Sequence, residues 1–491
     1  MICFQKQKES FIKELVKSVS KISFSTFTSI VSGMVRTKFL AMLTGTTGVG
    51  VYSSIFNLYS LVTAILPIGS LGLNKFISQY FDEDKKEKIF YLLRYFVFVN
   101  VPIAIAVTSL IILFSSNISN MLFNNENYEL HIKLFSLSIP LFVVNNIIDT
   151  YLKGTRKINL YVLFVSLNSI ILLAAFVPLV IFWSLHGAII AFGAGIVFNF
   201  FNGIIILKKY QLFPDFKKIE KIDPAILKSI YKIGVASIIM LIFQNLSLLA
   251  LRSIITDKFG LQNLGIFQSV YSISTNYIGL FFGILGTYTI PKMSTLKNND
   301  DIVLETNNLI RFLLIFFTPL ILVFIAFKGI IINLLYSKEF ISAESILDYQ
   351  LLGDFFKIIS WSLGIWLVPC LKIKQWVIFD VLYSLSYMGI FLIINTFWDI
   401  GIKAVCISYL IININHLVIN LLFIRKSLNF KFQKVNLTLL CFSLIFIVAL
   451  IVSSIGGIEL KYIVFSLTFL IWIYINIKNL NLEQIKSFFK K

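Results

Sequence analysis

Apolar residues run in long, almost unbroken stretches along this chain, and short polar segments separate them. Most stretches hold about 20 residues, the length that an α-helix needs to cross the hydrocarbon core of a bilayer. The pattern therefore predicts an all-α polytopic membrane protein with about fourteen transmembrane helices. The predicted helix cores are 22–43, 51–74, 89–115, 131–152, 159–182, 187–207, 229–251, 265–290, 307–327, 345–369, 374–396, 401–423, 436–455 and 460–477.

Within this pattern one short motif occurs twice. The segments 35–60 and 251–274 each contain an arginine, then Gly-x-x-x-x-Gly, then an aromatic residue, and the glycine pairs lie 215 residues apart. Six predicted helices separate the two copies, so equivalent helices cross the membrane in the same direction. The sequence thus predicts two parallel six-helix lobes related by an axis along the membrane normal, with two further helices outside the repeat. The repeated glycines are Gly45 and Gly50, matched by Gly260 and Gly265.

The duplication divides the chain into four parts. We expect an N-terminal lobe over 1–207, a cytoplasmic linker over 208–228 that forms a surface helix, a C-terminal lobe over 229–430, and two extra helices with a tail over 431–491. Two lobes of this kind are expected to enclose a central cleft and to open it alternately to either side of the membrane by rocking.

Composition and charge support a membrane protein and argue against a soluble or a nucleic-acid-binding protein. Hydrophobic residues make up 58% of the chain and charged residues 14%, whereas soluble domains are about half apolar and a quarter charged. The net charge of +19 does not indicate a nucleic-acid-binding protein, because the lysines and arginines are concentrated in alternate loops. That asymmetry predicts that both termini lie in the cytoplasm.

A few cations remain inside predicted helices or at their ends, namely Arg36, Lys38, Lys75, Arg252 and Lys357, with Lys133 at a rim. Such a residue costs about 2.5–3.5 kcal/mol at a helix centre on insertion scales, so it usually faces a water-filled cavity or a partner. Lys75 follows the 67–72 region, which contains proline and glycine and where we expect a kink. The functional interpretation is a cationic cleft that binds an anionic group, and the structural alternative is that the arginines extend to the interface or cap helix ends.

Three other polar residues in the predicted helices have two interpretations each. Asp354 and Lys357 are spaced i, i+3, which favours an intrahelical ion pair, but Asp354 could instead couple transport to a proton or to sodium. His416 could titrate or could be a hydrogen-bonded interior histidine. The scattered cysteines and histidines have no metal-ligand spacing, and the segment 45–50 is not followed by Lys-Ser/Thr, so we expect no metal, nucleotide or cofactor.

Several segments together resemble a known family. They are VRTKFL (35–40) before GTTGVGVY (45–52), GLNK (72–75), YLKGTRK (151–157), YKIGVASII (231–239) and YTIPKMSTL (288–296). Their order and spacing are similar to those of Wzx-type flippases for lipid-linked oligosaccharides. These proteins form the polysaccharide-transport branch of the multidrug/oligosaccharidyl-lipid/polysaccharide (MOP) exporter superfamily, which includes the MATE transporters.

The resemblance implies a function, a location and a set of site residues. It implies transfer of undecaprenyl-diphosphate-linked oligosaccharides across the bacterial cytoplasmic (inner) membrane for O-antigen lipopolysaccharide, capsule or exopolysaccharide synthesis, alongside a polymerase and a chain-length regulator. Related flippases use cations on helices 1, 2 and 7 or 8, which correspond here to Arg36, Lys75 and Arg252. Many relatives place an acid beside the helix 7 arginine, where this chain has Leu251, so a coupling role of that acid does not transfer.

Two other classes of function remain open at this point. A MATE-like multidrug or cation antiporter shares the fold, but it would place acidic residues in the lobes, where this chain has mostly basic ones. A membrane polysaccharide polymerase or glycosyltransferase would need a catalytic base or a sizeable outer loop. We therefore expect a transporter and not an enzyme.

Overall fold

The computed structural model of the protein describes residues 2–214, 220, 222–294, 296, 298–398 and 400–479, which form helices joined by short turns, with no β-strand among them. The predicted fold class is confirmed. The described residues before position 273 form eight α-helices and a short 3₁₀ turn at Glu126–Tyr128. The α-helices are α1 (Ile2–Ile65), α2 (Ser70–Asp82), α3 (Lys86–Leu113), α4 (Ser115–Phe123), α5 (Glu129–Ser136), α6 (Ile139–Gly154), α7 (Ile158–Lys209) and α8 (Pro224–Ser272).

The later part of the chain begins with a π-helical turn at Ile273–Ile278. Eight more α-helices follow, with 3₁₀ turns at Lys338–Ala343 and Ile365–Leu367. They are α9 (Gly279–Ser294), α10 (Asn299–Ala326), α11 (Lys328–Leu335), α12 (Glu344–Gly364), α13 (Ile373–Phe397), α14 (Lys403–Leu428), α15 (Lys434–Ser453) and α16 (Ile458–Asn479).

Three of these helices are too long for a single crossing and are broken at one residue each. Helix α1 breaks at Gly45 (φ 64°) and α8 at Gly260 (φ 82°), while α7 breaks at Ser184 (φ 48°). A positive φ is readily adopted by glycine because it has no Cβ. The two glycine breaks lie 215 residues apart, so the repeat predicted from the sequence also appears in the backbone.

The short helices outside the predicted spans repeat as well. Helix α3 and the following α4 begin at Lys86 and Ser115, and α10 and the following α11 begin at Asn299 and Lys328. In both pairs the short helix begins 29 residues after the start of the long one, and one residue separates the two helices. The sequence pattern did not reveal α4 and α11, which are too short to give a membrane-span signal.

Ten helices of the described chain are long and apolar enough to cross a membrane, which makes this a multi-span membrane protein. The number fourteen stays a prediction. The expected kink in the 67–72 region is confirmed, since α1 ends at Ile65 and α2 begins at Ser70 after Gly69, whose φ is 90°. Part of the linker expected to form a surface helix, residues 215–219 and 221, lies outside the described residues.

The helices group into two compact units. The first contains the residues up to Gly265 together with 335–337, and the second contains 266–334 and the residues from 338 onward. The first unit therefore takes in most of α8, which belongs to the second sequence repeat. The lobe boundaries at 207 and 229 stay a prediction about the duplication.

Each unit packs its helices closely. In the first unit the rings of Phe135 and Phe192 stack with their centroids 4.6 Å apart. In the second unit α12 and α14 meet at Gly353, where a Cβ would lie 2.6 Å from the ring of Tyr409. Small residues permit such approaches between membrane helices, where lipid gives no hydrophobic force for association.

Candidate functional site

Arg36 lies in α1, half-buried beside aromatic residues of the first unit. Its guanidinium carbon is 5.8 Å from the ring centroid of Phe176 in α7, and its Nε donates a long hydrogen bond of 3.4 Å to the carbonyl of Ser32. The ring of Tyr52 packs edge-on against Phe176. Among the described residues Arg36 forms no ion pair with an acid. Among the described residues, the ring of Phe176 and a distant carbonyl are the contacts that balance its charge.

The two lysines predicted with it point elsewhere. Lys38, two positions further along α1, donates to the backbone carbonyl oxygen of Tyr336. Lys75 is exposed on α2, with its ammonium nitrogen 5.6 Å from the ring centroid of Phe76. A step of two residues turns a helix by about 200°, which explains why Arg36 and Lys38 contact different neighbours.

Arg252 differs from Arg36 in burial. It is 2% exposed, and its Nη1 donates a 2.6 Å hydrogen bond to Oγ of Ser53. Ser53 in turn donates to the carbonyl of Gly50 at 2.8 Å. Arg252 thus joins α8 to the part of α1 that follows the break at Gly45.

The contact of Arg252 is one of four side-chain hydrogen bonds that join α8 to other parts of the first unit. Asn57 donates to Asn245 over 3.3 Å, Ser253 donates to the carbonyl of Met121, and Asn124 donates to Asp257 over 2.9 Å. The four bonds hold α8 against the rest of the first unit.

The repeated glycines of α1 and α8 also pack against each other. A Cβ on Gly50 would lie 2.9 Å from the backbone nitrogen of Gly265, and a Cβ on Gly265 would lie 1.8 Å from the carbonyl oxygen of Thr46. Gly45 breaks the helix, whereas Gly50 and Gly265 permit two helices to cross in backbone contact.

The two arginines do not occupy the same position relative to the helix breaks. Counted from the breaks at Gly45 and Gly260, Arg36 lies nine residues before its glycine and Arg252 eight. One residue turns a helix by about 100°. The repeat position of Arg36 in α8 is therefore Leu251, which is buried.

Asp354, on α12 in the second unit, lies in a polar cluster that the sequence did not indicate. One carboxylate oxygen accepts hydrogen bonds from Ser274 Oγ at 2.5 Å and from Tyr409 OH at 2.8 Å. The other oxygen is buried without a hydrogen bond from any described residue. Ser274 lies in the π-helical turn, a backbone form often found at functional sites.

The expected ion pair between Asp354 and Lys357 is absent from the described part of the chain at a 4.0 Å limit. The ammonium of Lys357 instead lies 5.6 Å from the ring centroid of Tyr409. The i, i+3 spacing was a correct indication of proximity, but the carboxylate is held by the hydroxyl donors from α14 and the π-helical turn.

Both ring nitrogens of His416 have neighbours. Its Nδ1 is 2.8 Å from Ser360 Oγ and its Nε2 is 3.2 Å from Asn420 Nδ2. The edge of the Tyr383 ring packs against it with centroids 5.1 Å apart. This geometry favours the hydrogen-bonded interior histidine over a group that titrates freely.

Residues 15–297, more than half of the chain, match the family model described as polysaccharide biosynthesis protein. The chain belongs to this family. It is also similar to curated proteins named lipid III flippase from Escherichia coli (strain K12) and Shigella flexneri. Each is 21% identical over 372 residues, which cover 75% of this chain and 88% of the relative.

Solved structures show the same fold. An inward-facing multidrug resistance MATE transporter of the MOP superfamily matches with a TM-score of 0.70 at 14% identity, covering 84% of this chain and 98% of that one. The lipid II flippase MurJ in an inward closed conformation matches with a TM-score of 0.69 at 16% identity, covering 93% and 98%. The predicted MOP-type fold is confirmed.

Proposed function

We propose that this protein moves lipid-linked oligosaccharides across the bacterial cytoplasmic membrane for surface polysaccharide synthesis, without making or breaking covalent bonds. Family membership supports the pathway, and the similarity to lipid III flippases supports a lipid-linked substrate. The expected substrate is an undecaprenyl-diphosphate-linked repeat unit of O-antigen, capsule or exopolysaccharide. A polymerase and a chain-length regulator would act on it after transfer.

The observation that carries the mechanism is the environment of Arg36. A guanidinium within a membrane span is costly, and this one has no acidic partner among the described residues. Guanidinium groups fork onto phosphate oxygens and keep their charge. We assign Arg36 to the diphosphate of the substrate, while the polyprenyl chain stays in lipid. An unpaired diphosphate could not cross hydrocarbon unaided.

The other predicted cations take secondary roles in this proposal. The exposed Lys75 would attract the diphosphate on its way to Arg36, and Lys38 would add to the local positive potential. Arg252 is engaged by Ser53, so it would contact substrate only in a conformation in which α8 moves away from α1. This agrees with transport by alternating access.

Coupling to an ion is assigned first to Asp354. A buried carboxylate with one oxygen that accepts no hydrogen bond from the described residues is costly unless a cation or proton joins it. His416, with both ring nitrogens engaged, stays the weaker prediction for this role. The charge asymmetry of the loops supports a cytoplasmic location for both termini.

The test replaces Arg36 and measures transfer of the lipid-linked oligosaccharide in proteoliposomes. We expect Arg36→Ala to slow transfer at least tenfold and Arg36→Lys to recover part of it, because the ammonium keeps the charge but loses the fork. Arg94→Ala is the matched control, since Arg94 is an exposed arginine of α3 that also lies over a phenylalanine, 5.5 Å from the ring centroid of Phe98.

Unchanged transfer by Arg36→Ala would overturn the role of Arg36, and no transfer by the wild-type protein would overturn the flippase function. The MATE-like alternative is tested in the same vesicles with a fluorescent drug cation, whose uptake the proposal does not predict. Any change in the glycosidic bonds of the recovered substrate would support the alternative of a polymerase or glycosyltransferase.

A further inference from the structure

The second unit contains a cavity of about 520 Å³ whose wall includes His416. We call it the aromatic cavity. Its volume lies within the range of about 300–1,000 Å³ that small-molecule sites occupy. Helices α9, α12, α13 and α14 each contribute to its wall. The wall combines aromatic rings with polar side chains.

Four aromatic residues form much of this wall, and all of them are partly buried: Phe282, Trp361, Trp376 and Phe379. Phe282 and Trp361 pack together with ring centroids 5.1 Å apart. Phe379 is fixed edge-on by Phe423, with centroids 5.2 Å apart. Trp376 stands at the start of α13. The cavity therefore offers flat apolar surfaces that are held in place by neighbouring rings.

Several residues of the wall carry polar groups without hydrogen-bond partners among the described residues. The indole N–H groups of Trp361 and Trp376 donate to no other described residue, and the carboxylate of Asp380 accepts from none and has no ion pair there. The amide oxygen of Asn420 also accepts no hydrogen bond from the described chain. A Cβ on Gly364 would lie 3.1 Å from that oxygen, so glycine at this position leaves it uncovered.

A hydrogen-bonded trio holds the polar edge of the cavity in place. Ser360 Oγ is 2.8 Å from His416 Nδ1, and the amide nitrogen of Asn420 donates to Ser360 Oγ over 3.1 Å. The same amide nitrogen also donates to the carbonyl of His416. These bonds fix the orientation of Asn420 and direct its oxygen away from the trio.

We propose that the aromatic cavity binds a sugar residue of the transported oligosaccharide. A pyranose presents an apolar C–H face, which stacks on aromatic rings, and a rim of hydroxyls, which need both donors and acceptors. The cavity combines the two, with indole donors and with carboxylate and amide acceptors. A polyprenyl chain would leave these polar groups unpaired, which is costly, and a diphosphate would be repelled by Asp380.

This inference rests on the proposed function, since it names the part of the substrate that the second unit recognises. Arg36 in the first unit would bind the diphosphate, and the aromatic cavity would bind a sugar. Recognition would then depend on the oligosaccharide as well as on the lipid diphosphate common to all such carriers. Specificity for one glycan would follow from the donors and acceptors of the cavity.

The experiment measures binding to the full-length protein in lipid nanodiscs by calorimetry. The probe is the free oligosaccharide released by mild acid from the lipid-linked pool of the source bacterium, and undecaprenyl diphosphate without sugar is the comparison. We expect Trp376→Leu and Asp380→Asn each to weaken binding of the free oligosaccharide about tenfold or more, because each removes a contact to the sugar. A tenfold change corresponds to about 1.4 kcal/mol of binding free energy. Binding of undecaprenyl diphosphate should not change.

Trp398→Leu is the matched control, because Trp398 belongs to the same unit but is 59% exposed and does not line the cavity. Equal binding of the oligosaccharide by Trp376→Leu, Asp380→Asn and wild type would overturn the sugar site. Loss of undecaprenyl diphosphate binding in Trp376→Leu would show that the cavity takes the lipid carrier and would overturn it too. A wild-type protein that binds the free oligosaccharide but transfers no lipid-linked substrate would refute the flippase function and leave the sugar site standing.

Discussion

At the scale of single residues, the structure separates side chains that the sequence pattern had grouped. Arg36 and Arg252 occur in matching segments, yet one lies half-buried against Phe176 and the other is buried on Ser53. An offset of one residue relative to the break glycines is enough, because it turns the side chain by about 100°. A motif shared by two repeats therefore does not imply a shared role for each of its residues.

Replacing Asp354 by asparagine tests its role in ion coupling. Asn is nearly isosteric and can still accept the hydrogen bonds of Ser274 and Tyr409, but it can neither take up a proton nor balance a cation. We expect Asp354→Asn to fold and to transfer substrate without a gradient, and to lose the acceleration that a proton or Na⁺ gradient gives the wild type. The measurement compares transfer in proteoliposomes with and without each gradient.

Asp301→Asn serves as the control for that variant, since Asp301 is an exposed carboxylate in the first turn of α10. Its response to the gradient should equal that of the wild type. A wild-type response in Asp354→Asn would remove Asp354 from the coupling mechanism.

At the scale of helices, the two glycine segments of the repeat cross in backbone contact within the first unit. The backbone of Gly265 faces Thr46, and Gly50 faces Gly265, with no room for a Cβ on either side. Small residues in such positions bring backbones together and increase the van der Waals contact that holds membrane helices. The glycine motif thus combines a helix break with a helix crossing.

Gly265→Ala should destabilise the protein, because its methyl group would overlap the carbonyl of Thr46. Overpacking of this kind costs about 1–3 kcal/mol, and more where the backbone itself is in the way. Gly193→Ala in α7 is the control, since a Cβ there meets nothing within 4 Å. Thermal unfolding of the purified variants in detergent compares the two, and equal melting temperatures would contradict the crossing.

The sequence predicted most of the helices and few of the contacts. Apolar runs located α3, α13, α15 and the division of α7 to within a few residues, since a membrane span has a fixed length. They could not show that α5 and α6 are separate, because the apolar pattern continues through the gap. Nor could they place Ser274 against Asp354, since the π-helical turn changes the direction of the side chains and leaves no signal in the pattern.

At the scale of the whole molecule, the boundary between repeats and the boundary between compact units do not coincide. By sequence α8 opens the second repeat, yet its residues up to Gly265 belong to the first compact unit. Hydrogen bonds at Ser53, Asn57, Met121 and Asn124 hold it there. If the repeats rock during transport, these bonds must open. The bonds of Asn245 and Ser253 join uncharged groups, whereas those of Arg252 and Asp257 each involve a charged side chain. Contacts of this kind are weak enough to break and re-form, since each contributes about 0.5–1.5 kcal/mol, or about 1.5–3 kcal/mol where a charge takes part.

A cross-link between α1 and α8 would block this opening. Asn57 and Asn245 are in side-chain contact at 3.3 Å, so cysteines at both positions should be bridged by a short thiol-reactive cross-linker in a background without the four native cysteines. The bridge would hold α8 on α1, and we expect it to stop transfer of the lipid-linked oligosaccharide, with recovery when a reducible cross-linker is cleaved. The control bridges cysteines at Ser29 and Ser169, whose hydroxyls are 2.8 Å apart. This pair joins α1 to α7 within the first repeat, and rocking of the repeats does not require these two helices to separate. Transfer that continues through a fully bridged pair at positions 57 and 245 would rule out a transport cycle in which α8 leaves α1, and with it any direct contact between Arg252 and the substrate.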